Sequence, residues 1–212
     1  MIVVIGAVVA RGIRQDVVPG GLASAVAMAA AAAGARVEVV ARVGDDPPGD
    51  AVLLAFAAAG VGHAATLRDA ARATSLEVDD DEPIDPDPDP DAPPVGGPPD
   101  HPAPTLDAAD VGLALRYLSD YRVIVAVHPA DPGVLAEVTS AAGYASAHLV
   151  VVTDPDGAPP EGAPPGALVV EAARDAMGFG DLLGRYAAAV DLGEDPATAF
   201  AMLSVAASTR EP

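Results

Sequence analysis

The sequence predicts an α/β protein built on a doubly wound, mostly parallel sheet with helices on both faces. Three observations carry that expectation. Short β-branched runs alternate with helix-length segments along most of the chain, which is the pattern of successive βα units. The runs read as buried strands, and an irregular Asp/Pro tract breaks their alternation near the middle. Hydrophobic residues make up 51% of the 212 residues but aromatics only 3%, so the core must be built from Ala, Val and Leu. Small-residue helices lying close on a sheet fit that composition.

The chain opens on "MIVVIGAVVARG", with IVVIG at 2–6 as the first strand. This apolar stretch has no basic n-region, so it reads as a buried strand and not a signal peptide. A helix is expected over 21–34, within an uncharged run (17–35) that is mostly Ala. Ala transfers too little free energy for that run to prefer a bilayer. A strand follows at 36–43 and a helix at 48–59. Residues 79–104 read "DDDEPIDPDPDPDAPPVGGPPDHPAP", too polar to bury and order themselves, and are expected to be a disordered loop. A helix over 106–119 starts with Thr105 as its expected N-cap and acids in the first turn. Then come a strand at 122–127, a helix at 131–142 entered through Asp131 and Pro132, and a strand at 148–153. A polar loop at 154–166, a strand at 167–172 and helices at 180–191 and 195–208 complete the chain. One domain over 1–212 is expected.

Charge removes several function classes. The net charge is −20, and all 11 basic residues are Arg. With no Lys there is no P-loop lysine, no Schiff-base lysine and no basic footprint for nucleic acid. An acidic surface repels nucleic acid and anionic lipid, so neither is expected as a partner, and a cytoplasmic protein is expected. Cysteine is absent, which excludes disulfides and thiolate sites. The alternating Asp85, Asp87, Asp89 and Asp91 lack the glycine and closing Glu of a calcium loop. His63, His101, His128 and His148 share no metal-ligand spacing, and no protein metal site is expected. His128 does sit at a strand's C-terminal end, where sites of α/β proteins form. A dinucleotide site fails on spacing, because "GAVVARG" lacks the required glycines.

Two stretches carry more. The first runs from Gly20, "GGLASAVAMAAAAAGARVEVVARVGDDPPGDAVLLAFAAAGV", and the second is "RDAMGFGDLLGRYAAAVDLGEDPATAFAMLSVAAS". In order and spacing they resemble the two signatures of the ribokinase-like (PfkB-type) carbohydrate kinases. The resemblance implies a ribokinase-like fold with a reduced lid, and an ATP-dependent phosphotransferase acting on a hydroxyl of a sugar or similar small molecule. Asp181 would be the base that takes the acceptor's proton. The backbone N–H groups of Gly178, Phe179 and Gly180 would form an anion hole for the transferring phosphoryl group. Gly20, Gly21 and Asp45 would face the substrate. The implied cofactors are ATP and Mg²⁺, with the metal held largely by nucleotide phosphates, and the expected state is a monomer or homodimer.

The chain departs from the family pattern in several places. Ala25 stands at an Asn position and Arg11 at the substrate-binding Asp position. The stretch from Arg11 to Gly20 leaves no room for the strands that normally begin the lid. The family's Asn/Glu motif for magnesium and phosphates is not found. These departures support the alternative, a catalytically inactive homologue that binds a metabolite or another protein.

Overall fold

The first apolar run takes the middle of the sheet. The computed structural model describes residues 1–12, 17–77, 103–129, 131–155, 162–173 and 175–201. In chain order the first half contains β1 (Ile2–Ile5), β2 (Val9–Arg11), β3 (Val18–Gly20), α1 (Gly21–Ala32), β4 (Val37–Gly44), α2 (Pro47–Ala58), β5 (Thr66–Asp69) and β6 (Leu76–Glu77). The second half contains α3 (Ala108–Tyr117), β7 (Val123–Val127), α4 (Pro132–Ala145), β8 (His148–Thr153), β9 (Leu168–Glu171) and α5 (Ala176–Asp191). The expected disordered loop at 79–104 lies almost wholly outside the described residues, as does the second half of the helix expected over 195–208.

Six strands form one parallel sheet in the order β5-β4-β1-β7-β8-β9. The order in which strands are added reverses between β1 and β7, which creates a crevice at the carboxyl ends of those two strands. Strand residues alternate between two cores, as the pleat demands. Ile2, Val4, Val39 and Val125 face α1, α2 and α5. Val3, Ile5, Val40 and Ile124 face α3 and α4. The expected α/β architecture is therefore found.

A second sheet corrects the expectation that no lid strands fit between Arg11 and Gly20. β2 pairs antiparallel with β3 and parallel with β6, giving a three-stranded pad in the order β3-β2-β6. Gly20 leaves room for the side chains of the neighbouring strands. A Cβ there would lie 3.0 Å from Val9 and 3.1 Å from Arg11. β5 also departs from expectation. "TLRD" is a short, half-polar edge strand whose alternation is too brief to register.

Helix starts are set by caps. Asp131 caps α4 by accepting from Gly133 N–H (2.8 Å), with Pro132 at the first helical position, as expected. The cap of α3 is Asp107, not Thr105. Asp107 accepts from Asp110 N–H (2.9 Å) while Asp110 reaches back to Asp107 N–H (3.2 Å), a reciprocal capping box. One hydroxyl cannot compete with two paired carboxylates.

The closest packing in the fold is between α1 and α5. Gly180 and Gly184, one turn apart, lie directly on α1. A Cβ at Gly180 would be 2.5 Å from the Ala25 Cβ, and one at Gly184 would be 2.5 Å from the Val26 carbonyl oxygen. The small residues of both helices thus permit backbone-to-backbone contact.

Farther along α5, the buried Tyr186 hydroxyl meets His148 Nε2 at 2.8 Å. Burial lowers the His148 pKa below its ordinary 6.5. The unfolded chain then takes the proton more readily than the folded one. This contribution to stability is complete above pH 6.5 and is lost as the pH falls from there through the lower folded-state value. Thermal melts at pH 7.5 and pH 5.5 should show a smaller acid-induced loss for His148→Gln than for the wild type. Equal losses would contradict this assignment.

Candidate functional site

α5 begins one full turn earlier than its sequence suggests. Asp175 is its N-cap, and its Oδ1 accepts from Gly178 N–H (3.0 Å). Phe179 N–H donates to the Asp175 carbonyl (3.0 Å), and Gly180 already lies inside the helix. The N–H groups of Gly178 and Phe179 are therefore engaged, and a carboxylate occupies the place where an anion would sit. Asp181 stands in the second turn, with Arg185 Nε at 3.2 Å from its carboxylate. As it stands, this turn does not fit a phosphate group.

The remaining residues singled out in the sequence lie in the first half of the chain. Gly21 starts α1 at φ 78°, a left-handed conformation that favours glycine. Gly20 belongs to the lid pad, where Arg11 pairs with Glu77 (3.3 Å). Asp45 is half exposed and pairs with Arg68 (2.7 Å), which also holds Asp50 (2.6 Å). These two carboxylates, Asp50 first, raise the Arg68 pKa above its ordinary value.

The neighbouring Asp46 has a larger structural part, which reasoning from sequence missed. Its Oδ1 accepts from Gly49 N–H (2.8 Å), capping α2, and from the Thr74 hydroxyl (2.7 Å). Its Oδ2 accepts from Thr74 N–H (2.6 Å). Thr74 Oγ1 in turn accepts from Gly44 N–H (2.8 Å). One carboxylate thus ties the end of β4, the start of α2 and the approach to lid strand β6. The Asp-Pro-Pro order was the available signal, since Pro at the first helical position marks the preceding residue as the cap.

The crevice between β1 and β7 holds a cavity of about 500 Å³. Its floor is apolar, with Ile5, Ala126 and Val134, and its rim carries Arg42, Asp107, His128 and Asp131. It opens on the α3/α4 side, and no residue of α5 lines it. His128 has φ 47°, an uncommon backbone for a non-glycine residue, and its Nδ1 lies 3.5 Å from Asp154. Arg42 is taken up by Asp110 (2.5 Å) and Asp69 (3.4 Å).

A parallel doubly wound sheet with a lid pad reached from β1 can be compared with solved structures. A putative ribokinase II from E. coli, in its apo form, superposes with a TM-score of 0.65 at 13% identity, covering 95% of this chain and 90% of that one. The fold is ribokinase-like. A fructokinase from Vibrio cholerae in apo form gives a TM-score of 0.51 at 18% identity, covering 72% of this chain and 53% of that one. An uncharacterised sugar kinase from Pyrococcus horikoshii in complex with ATP gives 0.52 at 15% identity, covering 72% and 52%. The ribokinase-like chain described here thus spans about half the length of the last two. No family model matches its sequence, and no curated protein matches it.

Proposed function

We propose that the chain is an ATP-dependent phosphotransferase of the carbohydrate-kinase type, acting on a hydroxyl of a sugar or similar small molecule. The observation that carries this reading is the contact of Gly180 with Ala25. It joins the two signature-bearing helices, so that the N-termini of α1 and α5 lie together at the carboxyl edge of the sheet. That edge is where ligands bind in open α/β folds. Asp181 would serve as the base once released from Arg185. The N–H groups of Gly178, Phe179 and Gly180 would be freed only if the first turn of α5 unwinds from Asp175. Gly20, Gly21 and Asp45 would bound the acceptor side.

Among the described residues, no group of three or more His, Cys, Asp or Glu could hold a metal ion. Magnesium would therefore arrive with the nucleotide phosphates, where it neutralises charge on the transferring group. A second reading, an inactive homologue, is favoured by one specific observation: the Asp175 cap already fills the anion position.

Calorimetry with Mg·ATP separates the two readings. For a kinase, Asp175→Ala should bind nucleotide about tenfold or more tightly than the wild type, because the competing carboxylate is gone. Asp181→Asn should bind as the wild type does and transfer no phosphoryl group. No heat at millimolar nucleotide from either the wild type or Asp175→Ala would refute the kinase reading in favour of the second.

A further inference from the structure

We propose that the groove between α3 and α4 binds a free amino acid with an apolar side chain, taken up as the zwitterion. The groove is formed by the second halves of both helices and the turn at 118–121, at the amino edge of the sheet. It therefore lies at the opposite edge from the α5 turn, and the inference does not depend on the phosphotransfer reading. It encloses about 620 Å³, within the range of about 300–1,000 Å³ usual for small-molecule sites.

One buried side chain points to a ligand. Tyr121 lines the groove and is only 7% exposed. Its hydroxyl is not sealed from solvent, yet it makes no hydrogen bond among the described residues. Burial, and then the neighbouring Tyr144, hold this phenol above its ordinary pKa of 10, so it stays protonated with a proton to donate. Arg116 is a second donor in want of an acceptor. Its Nε is spent on the Gly112 carbonyl (2.9 Å), while its terminal nitrogens form no ion pair among the described residues. From α4, Glu137 reaches over Gly112, where an added Cβ would come within 2.9 Å of its Oε2. Glu137 likewise forms no ion pair among the described residues, so Arg116 and Glu137 face one space without closing on each other. Asp120 adds a second carboxylate to the lining. A simple amine would leave Tyr121 and Arg116 without an acceptor, and a simple carboxylate would meet Glu137 and Asp120. A zwitterion answers both. Its carboxylate accepts from Arg116 and Tyr121 and its ammonium donates to Glu137, with the apolar side chain over Leu115 and Leu118 beside the Tyr144 ring.

The test uses three ligands of one shape without nucleotide: L-phenylalanine, hydrocinnamate, which lacks the ammonium, and phenethylamine, which lacks the carboxylate. Binding is read by calorimetry and by tyrosine fluorescence, since the chain has no Trp and Tyr121 and Tyr144 are two of its four Tyr. Phenylalanine should bind at least about tenfold more tightly than either analogue. Tyr121→Phe should weaken phenylalanine binding several-fold. That variant removes an oxygen with no hydrogen-bond partner among the described residues and keeps the buried ring, so the fold is retained. Arg116→Gln should weaken phenylalanine and hydrocinnamate but not phenethylamine, and Glu137→Gln should weaken phenylalanine and phenethylamine but not hydrocinnamate. Because no nucleotide is present, failure here leaves the kinase reading untouched. The proposal is overturned if either analogue matches phenylalanine, if any of the three variants binds phenylalanine as the wild type does, or if phenylalanine does not bind at millimolar concentration.

Discussion

Asp46→Ala should destabilise the protein by about 3 kcal/mol, read by urea unfolding with an unchanged slope. The α2 cap alone accounts for about 1 kcal/mol. The rest comes from Thr74, which is 3% exposed and would lose a carboxylate partner for both its N–H and its hydroxyl. Hydrogen bonds to a charged acceptor contribute about 1.5–3 kcal/mol each, though not additively within one network. Asp46→Asn should recover only part of this. Whichever oxygen becomes the amide, it turns a donor toward Thr74 N–H or toward Gly49 N–H, and one buried donor goes unsatisfied. Asp45→Ala is the control, because its pair with Arg68 is solvent-exposed and worth little. Equal effects at the two positions would remove Asp46 from its role as the tie between sheet and lid.

Gly184→Ala should cost about 2 kcal/mol, even though Ala gains up to about 1 kcal/mol over Gly inside a helix. The added Cβ would sit 2.5 Å from the Val26 carbonyl oxygen, 2.6 Å from the Ala29 Cβ and 2.8 Å from the Ala30 nitrogen. Two of these atoms are backbone and cannot turn aside, so α1 and α5 must separate along their whole contact. Gly143 supplies the opposite case. It lies inside α4, and a Cβ added there would meet nothing within 4 Å, so Gly143→Ala should gain about 0.5–1 kcal/mol. Paired thermal melts would read this as one melting temperature falling and the other rising. A stabilised Gly184→Ala would show that the two helices are not in backbone contact.

The glycines of α5 also explain which parts of the fold and site could be read from sequence. Continuous apolar runs such as IVVI and VIVAV have one reading, a strand buried on both faces, and the sheet follows from them. Asp131-Pro132 likewise has one reading as a helix entry. Near α5 the sequence offers two acidic candidates for the cap, Asp175 and Asp181, and local chemistry does not choose between them. Packing does: Gly180 and Gly184 must both face α1, so the helix has to include 180 and start before it. The same kind of degeneracy hid Asp46 behind its neighbour Asp45, since only the position of Thr74, far along the chain, distinguishes them. The cavity was beyond reach for that reason too. Its rim gathers Arg42, Asp107 and the pair His128 and Asp131 from three separate segments, and in the sequence His128 stands out only by its place at a strand end and Asp131 only as a helix entry.

The α1–α5 contact also bears on how this chain is made. α5, the helix that covers α1, leaves the ribosome long after it, and β7, which covers the open side of β1, emerges between the two. At typical synthesis rates, α1 would wait roughly 10–30 s for α5. Throughout that interval its smooth Ala/Gly face and the bare edge of β1 are without their native partners. The larger of the two cores draws on residues from Ile2 to Ala199, so the nascent first half cannot complete it alone. The larger core therefore cannot close until α5 has emerged, and shielding of the N-terminal half until then becomes a condition of yield.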